Sequence, residues 1–69
     1  MSDLNLIVNG EPRSFPGIAS AADLLSRLGL DPRAVVVEVN RQIVRRAHLR
    51  ETPLCDGDAV ELVHFVGGG

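Results

Sequence analysis

The chain has 69 residues and a formal net charge of −2, and it contains one cysteine and neither Trp nor Tyr. A chain of this length forms one small domain, residues 1–69, that buries only about 60% of its unfolded surface and has little room for an active-site cleft. The composition excludes an intramolecular disulfide and argues against a nucleic-acid platform of basic stripes and stacking aromatic rings.

Two strands joined by a tight turn open the chain. Residues 4–8 are rich in β-branched and apolar side chains, and Asn9-Gly10 is a strong hairpin signal. Residues 11–15 should therefore form a second strand that pairs with the first. Pro12 cannot donate a hydrogen bond to the ladder, which places this second strand at a sheet edge.

A short amphipathic helix is predicted next. Ser20 is the expected N-cap, Asp23 occupies the capping-box position, and Gly29 is the expected stop. Asp31-Pro32 prevents continuation of the helix. One apolar stripe at helical spacing is formed by Ala21, Leu24, Leu25 and Leu28.

The second half of the chain predicts two or three further strands. Residues 34–40 are nearly all valine, with the odd-numbered valines facing the helix and Val36 and Glu38 facing away. Ile43-Val44 predicts a short strand, and residues 45–55 are read as irregular. After a tight turn at residues 56–58, a last strand runs over residues 59–66.

This order of elements predicts a two-layer α+β domain. The helix has one apolar stripe and must bury it against one face of a mixed sheet of four to five strands. The first and last strands are the most apolar and should occupy the middle of the sheet. This arrangement is the β-grasp fold of ubiquitin-like proteins, with residues 66–69 as a flexible C-terminal glycine tail.

The tail Gly67-Gly68-Gly69 is the strongest functional signal. Glycines have no Cβ, so such a tail can enter a channel too narrow for other residues. From Phe65 onward, at about 3.3 to 3.6 Å per residue, it can carry the terminal carboxylate into the active site of a partner. A carboxylate is a poor electrophile, so another protein must activate it. The alternative is that glycines collect where a terminus frays.

Two segments resemble the ThiS family of sulfur carriers of thiamine biosynthesis. Residues 54–69, LCDGDAVELVHFVGGG, are similar to the end of that family, and residues 40–46, NRQIVRR, are similar to its Asn-x-x-Ile/Val-Val-Pro-Arg stretch. Arg45 departs from the family's usual proline, and three terminal glycines replace the usual two. The resemblance covers the whole chain in element order and is specific over the last sixteen residues.

The resemblance implies a carrier and not an enzyme. A ThiF-type adenylyltransferase would use ATP to convert the carboxylate of Gly69 into an acyl adenylate, and a persulfide donor of a cysteine desulfurase system would then supply sulfur. The thiazole synthase ThiG would receive this thiocarboxylate sulfur for the thiazole of thiamine. The chain itself would bind no cofactor. Delivery to molybdopterin or a cysteine-forming synthase, and a β-grasp module without a carrier role, stay open as alternatives.

Strand alternation predicts an apolar partner surface. If Val60 and Leu62 face the helix, then Glu61, Val63 and Phe65 face away, and Ile7 and Val36 fall on the same side. The predicted partner-binding residues are Val63, Phe65, Val66, Gly67, Gly68 and Gly69.

The remaining polar residues predict no metal site and no catalytic group. Cys55 is read as a small buried hydrophobe, His64 as a hydrogen-bonded strand residue, and His48 has no assigned partner. The opening Met1-Ser2-Asp3-Leu4 lacks the features of a leader or a membrane anchor. The single cysteine fits a reducing cytosol. A solvated edge, or docking to an acidic partner, is expected for Arg41, Arg45, Arg46 and Arg50.

Overall fold

Residues 3–65 are described by the computed structural model as a mixed five-stranded sheet with one α-helix. The strands are β1 (Asp3–Val8), β2 (Glu11–Pro16), β3 (Val35–Val39), β4 (Gln42–Val44) and β5 (Ala59–His64). The helix α1 spans Ala21–Leu28, and 3-10 helices span Pro32–Ala34 and Arg46–Glu51. The predicted tail, residues 66–69, lies outside the described residues.

The strand order in the sheet is β2-β1-β5-β3-β4. β1 and β5 run parallel, and the other neighbouring pairs are antiparallel. The last strand therefore lies in the centre of the sheet, the first strand lies beside it, and the Pro12-containing β2 lies at an edge. The predicted β-grasp arrangement is confirmed, and the sheet has five strands, the upper number of the prediction.

Two tight turns hold the hairpins at the ends of the sheet. Asn9 and Gly10 have φ values of 50° and 82°, and Asn40 and Arg41 have φ values of 51° and 70°. Two successive left-handed residues give the type I′ turn whose twist matches that of paired strands. Asn and Gly accept this conformation readily, whereas Arg41 does so at some cost in backbone energy.

Helix α1 begins and ends as the sequence predicts. The Oγ of Ser20 accepts a hydrogen bond from the Asp23 N–H at 3.2 Å, and Asp23 Oδ2 accepts from the N–H groups of Ser20 and Ala19 at 3.0 and 2.9 Å. Gly29 has φ 72°, and its N–H donates to the Ser26 carbonyl at 3.1 Å. These bonds pair backbone groups that a helix end leaves without intrahelical partners.

The core lies between α1 and one face of the sheet. Val35 and Val37 are buried, and Val39 packs against the core while half-buried, as the alternation predicts. Burying these side chains against α1 is the main source of stability for so small a sheet. The largest fully buried side chains of the core are Leu6, Leu24, Leu25 and Val60.

The prediction that residues 45–55 are irregular is wrong. Arg46–Glu51 is a 3-10 helix that places Leu49 in the core, and Leu54 is buried just beyond it. Pro53 forms an isolated bridge with Ser20, and the Leu54 N–H donates to the Ala19 carbonyl at 2.9 Å. A 3-10 segment this short has no apolar periodicity, so Leu49 within it and Leu54 just beyond it were the only signals that this stretch has a buried side.

The last strand is shorter than predicted. β5 ends at His64, although the Phe65 N–H still donates to the Ala34 carbonyl at 2.9 Å. The backbone thus stays attached to the β3 side of the sheet as far as residue 65. Val66, which the prediction included in the strand, lies outside the described residues.

Candidate functional site

The described part of the predicted site is the face of the sheet that points away from α1. In β5, Val60 is fully buried and Leu62 is half-buried, whereas Glu61 and Val63 are exposed, as is Phe65 just after the strand. Val63 is 52% exposed and Phe65 is 55% exposed, so the predicted orientation of β5 is confirmed. The other predicted site residues, Val66, Gly67, Gly68 and Gly69, lie outside residues 3–65.

Strand register shows which side chains share this face. Val36 lies directly opposite Val63, Glu38 lies opposite Glu61, and Ile43 lies opposite Glu38 on the other side. Residues opposite each other in an antiparallel pair point to the same face. We call this surface the outer face, and its members are Ile7, Val36, Glu38, Ile43, Glu61, Val63 and Phe65.

Sequence reasoning missed Ile43 as a member of the outer face. Its side chain is 68% exposed, the largest exposure among the exposed large apolar residues of the described chain. The two-residue pattern Ile43-Val44 does not show which residue points inward. Only the register with β3, which pairs Val44 with the buried Val37, assigns Ile43 to the outside.

The outer face carries a considerable apolar area for a small domain. Ile7 is 41% exposed, and it adds to the exposed Ile43, Val63 and Phe65. Contiguous exposed apolar area with a polar rim marks an interaction site more often than scattered single residues do. The outer face borders the segment that leads to the predicted tail, because Phe65 follows β5 directly.

A hydrogen-bond network fixes the start of β5. The Asn40 side-chain amide donates to Asp58 Oδ1 at 3.0 Å, and Asn40 Oδ1 accepts from the Ala59 N–H at 3.0 Å. Asp58 Oδ2 also accepts from the Cys55 N–H at 2.8 Å, which closes the tight turn. The Ile7 N–H donates to the Asp58 carbonyl at 2.9 Å. This turn is therefore tied to β1 and to the β3–β4 hairpin.

A second asparagine supports β5 from the opposite hairpin. Asn9 Oδ1 accepts from the Leu62 N–H at 2.8 Å, and the Asn9 N–H donates to the Val60 carbonyl at 2.9 Å. Parallel β1–β5 pairing covers only Ile7–Ala59 and Val8–Val60. The Asn9 side chain thus extends the attachment of β5 beyond the strand ladder, towards its C-terminal end.

Cys55 is exposed, so the prediction that it is buried is wrong. Cys55 precedes the turn, and its backbone N–H donates to Asp58 Oδ2, so its side chain is left free to point outward. His48 and His64 are also exposed, and the hydrogen bonds found over residues 3–65 include none from the His64 ring. The predicted arginine edge is confirmed as exposed at Arg41, Arg45, Arg46 and Arg50.

Within residues 3–65, no group of three His, Cys, Asp or Glu side chains is arranged to hold a metal ion. The same part of the chain contains no helix with the length and apolar character needed to cross a membrane.

Comparison with known proteins identifies the family. The family model described as ThiS family matches residues 6–69, which include the glycine tail. The chain belongs to the ThiS family. It is 47% identical over 47 residues to the sulfur carrier protein ThiS of Bacillus subtilis, an alignment that covers 68% of this chain and 71% of that protein.

The solved structures agree with this family. The crystal structure of the thiamine biosynthesis protein ThiS from Geobacter metallireducens superposes with a TM-score of 0.79 at 40% sequence identity. The alignment covers 96% of this chain and all of that one. The β-grasp fold of the ThiS family is therefore the fold of this chain.

A longer relative is also similar. The thiazole synthase of Paramagnetospirillum magneticum is 41% identical over 66 residues, which cover 96% of this chain. The chain spans one fifth of the length of that relative. A protein named thiazole synthase thus contains a segment similar to nearly the whole of this chain.

Proposed function

We propose that this chain carries sulfur on the carboxyl group of Gly69 for synthesis of the thiazole moiety of thiamine. The ThiS family consists of sulfur carriers of thiamine biosynthesis, and this chain is one of them. The observation that carries the assignment is the family match through residue 69, which includes the Gly67-Gly68-Gly69 sequence. The proposed chemistry treats Gly69 as the terminal residue.

The chemistry requires activation because a carboxylate has a poor leaving group. A carboxylate oxygen of Gly69 attacks the α-phosphorus of ATP, and pyrophosphate leaves. The terminal sulfur of a persulfide then attacks the acyl carbon, and AMP leaves. A thiol reductant supplies the two electrons that cleave the resulting acyl disulfide, which leaves a thiocarboxylate on Gly69.

In this scheme the chain supplies a substrate and the partners supply catalysis. The partners are a ThiF-type adenylyltransferase, a persulfide donor of a cysteine desulfurase system, and the thiazole synthase that receives the sulfur. The chain would act as a carrier and not as an enzyme, without a bound cofactor, in the cytoplasm. The relative named thiazole synthase supports the last of these partners, because that protein contains a segment similar to this chain.

The described structure supports docking through the outer face. Val63 and Phe65 lie next to the predicted tail, so a partner that binds them would hold the tail residues near its own active site. Glycines at residues 67–69 would then reach into a narrow channel without side-chain obstruction. The outer face would then provide the docking affinity, and the adjacent residues 67–69 would take part in the chemical reaction.

Intact-mass spectrometry tests the proposal. The chain is incubated with a ThiF-type enzyme, ATP, a persulfide donor and a thiol, and the expected product has one oxygen replaced by sulfur. Fragmentation should place the sulfur on Gly69. An unchanged mass, with an enzyme that converts its own carrier in a parallel reaction, would contradict the proposal.

A further inference from the structure

Two carboxylates face each other across the centre of the outer face. Glu38 in β3 and Glu61 in β5 are direct register partners, and both side chains point away from α1. Directly opposed side chains in an antiparallel pair have Cβ atoms about 4.5 to 5.5 Å apart. Glu38 is half-buried and Glu61 is exposed, so the two charges lie at the surface of the sheet.

This pairing is unfavourable for the isolated domain. Like charges directly opposite each other destabilise a sheet. Over residues 3–65 the only ion pair joins Arg33 and Asp31, at 3.0 Å, so neither glutamate has a cation in salt-bridge contact there. The fold itself therefore gains nothing from placing these two carboxylates together.

The surroundings of the two glutamates are apolar. On the outer face, the next register pair towards the tail is Val36 and Val63, and Ile43 lies beside Glu38 on β4. Exposed Phe65 and Ile7 lie on the same face of the sheet. A charge pair inside an apolar patch is desolvated when a partner covers it, and desolvation strengthens its attraction for an opposite charge.

We propose that Glu38 and Glu61 together bind one cationic side chain, an arginine or a lysine, of the thiazole synthase, while the surrounding apolar side chains pack against it. The two carboxylates suit a single guanidinium or ammonium group that donates to both. This contact favours a cation over other groups. A cation between the glutamates removes their mutual repulsion, whereas an apolar group there would leave two buried charges without partners. The identity of the partner rests on the proposed function and on the relative named thiazole synthase, which contains a segment similar to this chain. The chemistry of the contact follows from the register of the two glutamates.

Substitution by glutamine tests the two carboxylates without changing their shape. The full chain, unmodified at its C-terminus, is titrated calorimetrically into thiazole synthase as Glu38→Gln, Glu61→Gln and the double variant. Each single substitution should weaken binding about tenfold, a loss of the size that each 1.4 kcal/mol produces. The double variant should lose clearly more than either single variant, because it leaves the cation of the partner buried without any carboxylate.

Denaturant unfolding of the same samples provides the second readout. Removal of one of two opposed charges should leave the unfolding midpoint unchanged or raise it. The glutamine variants should therefore bind thiazole synthase more weakly while their unfolding midpoint stays the same or rises. A lower midpoint would mean that the glutamates stabilise the isolated domain, and the inference would be wrong.

Glu51→Gln is the matched control, because Glu51 is exposed in the 3-10 helix and does not belong to the outer face. If it weakens binding as much as the two outer-face variants do, the effect is general charge attraction and the shared-cation contact is excluded. The same titrations are made into the adenylyltransferase. The inference would also be overturned if the double variant bound thiazole synthase as tightly as the parent chain, or if its affinity fell only for the adenylyltransferase. If the double variant acquires sulfur normally and still binds thiazole synthase as tightly as the parent chain, the shared-cation contact is refuted. The proposed sulfur-carrier function is then unaffected.

Discussion

Asn40 and Asp58 join the two segments that resemble the ThiS family, through a side-chain hydrogen bond of 3.0 Å. Asn40 begins the NRQIVRR segment and Asp58 lies in the closing run that ends in the glycines. They are 18 residues apart in sequence but adjacent in space, and together they fix the start of β5. The sequence signature of the family thus includes a physical contact that orients the strand leading to the tail.

Asn40→Ala should destabilise the domain by about 2 kcal/mol, from two lost hydrogen bonds and a strained left-handed backbone. Asn40→Gly loses the same bonds but tolerates φ 51°, so it should cost about 1 kcal/mol. Denaturant unfolding of both variants measures the difference. An equal loss of unfolding free energy in the two variants would show that the left-handed backbone at residue 40 adds no cost for alanine.

The two phenylalanines of the chain provide a matched test of the outer face. Phe65→Ser removes a side chain that is 55% exposed, so the unfolding midpoint should change little while affinity for the adenylyltransferase and the thiazole synthase falls. Phe15 is 4% exposed in the core, and Phe15→Ser should cost at least about 3 kcal/mol of stability. A large loss of stability in Phe65→Ser with unchanged binding would contradict the assignment of Phe65 to a partner surface.

Sequence reasoning predicted the parts of the fold that local rules determine. The capping box at Ser20 and Asp23, the stop at Gly29 and the alternation in β3 and β5 each depend on residues that are close in sequence. From alternation alone, Val63 and Phe65 could be assigned to the outer face. These rules were sufficient because the helix and the long strands bury one side only.

The parts that sequence did not predict depend on tertiary contacts. The 3-10 helix is defined by Leu49 entering a core built from distant elements, and the exposure of Ile43 follows from its register with Glu38. Cys55 was expected to be buried from its residue type, but the tight turn after it holds its backbone at the surface. The opposition of Glu38 and Glu61 likewise requires the register of two strands that are far apart in sequence.

The proposed tail chemistry predicts that Gly68→Ala and removal of Gly69 each abolish adenylation. A Cβ at residue 68 narrows the path available to the tail, and loss of Gly69 removes the reacting carboxyl group. Thermal unfolding should be unchanged, because the core described above is built from residues 6–60. Adenylation and unfolding should be measured on the same samples. Loss of stability together with activity would show that the tail packs into its own domain.

Asp23 should contribute a pH-dependent part of the stability. Hydrogen bonds from the backbone N–H groups of Ala19 and Ser20 hold the pKa of its carboxyl below the ordinary value of 3.8. A lowered pKa in the folded state favours folding above the unfolded-state pKa, and this contribution is lost as the pH falls through the folded-state pKa. Asp23→Asn should therefore be less stable than the parent chain at pH 7.

The stability difference between Asp23→Asn and the parent chain should shrink as the pH falls from about 7 to about 2, because the carboxylate of the parent becomes protonated and loses its advantage. Denaturant unfolding across this range measures it, with Glu11→Gln as a control for removing an exposed carboxylate from the β1–β2 hairpin. A difference for Asp23→Asn that stays constant down to the lowest pH would mean that the carboxylate charge does not strengthen the cap, and that the amide oxygen serves equally well as its acceptor.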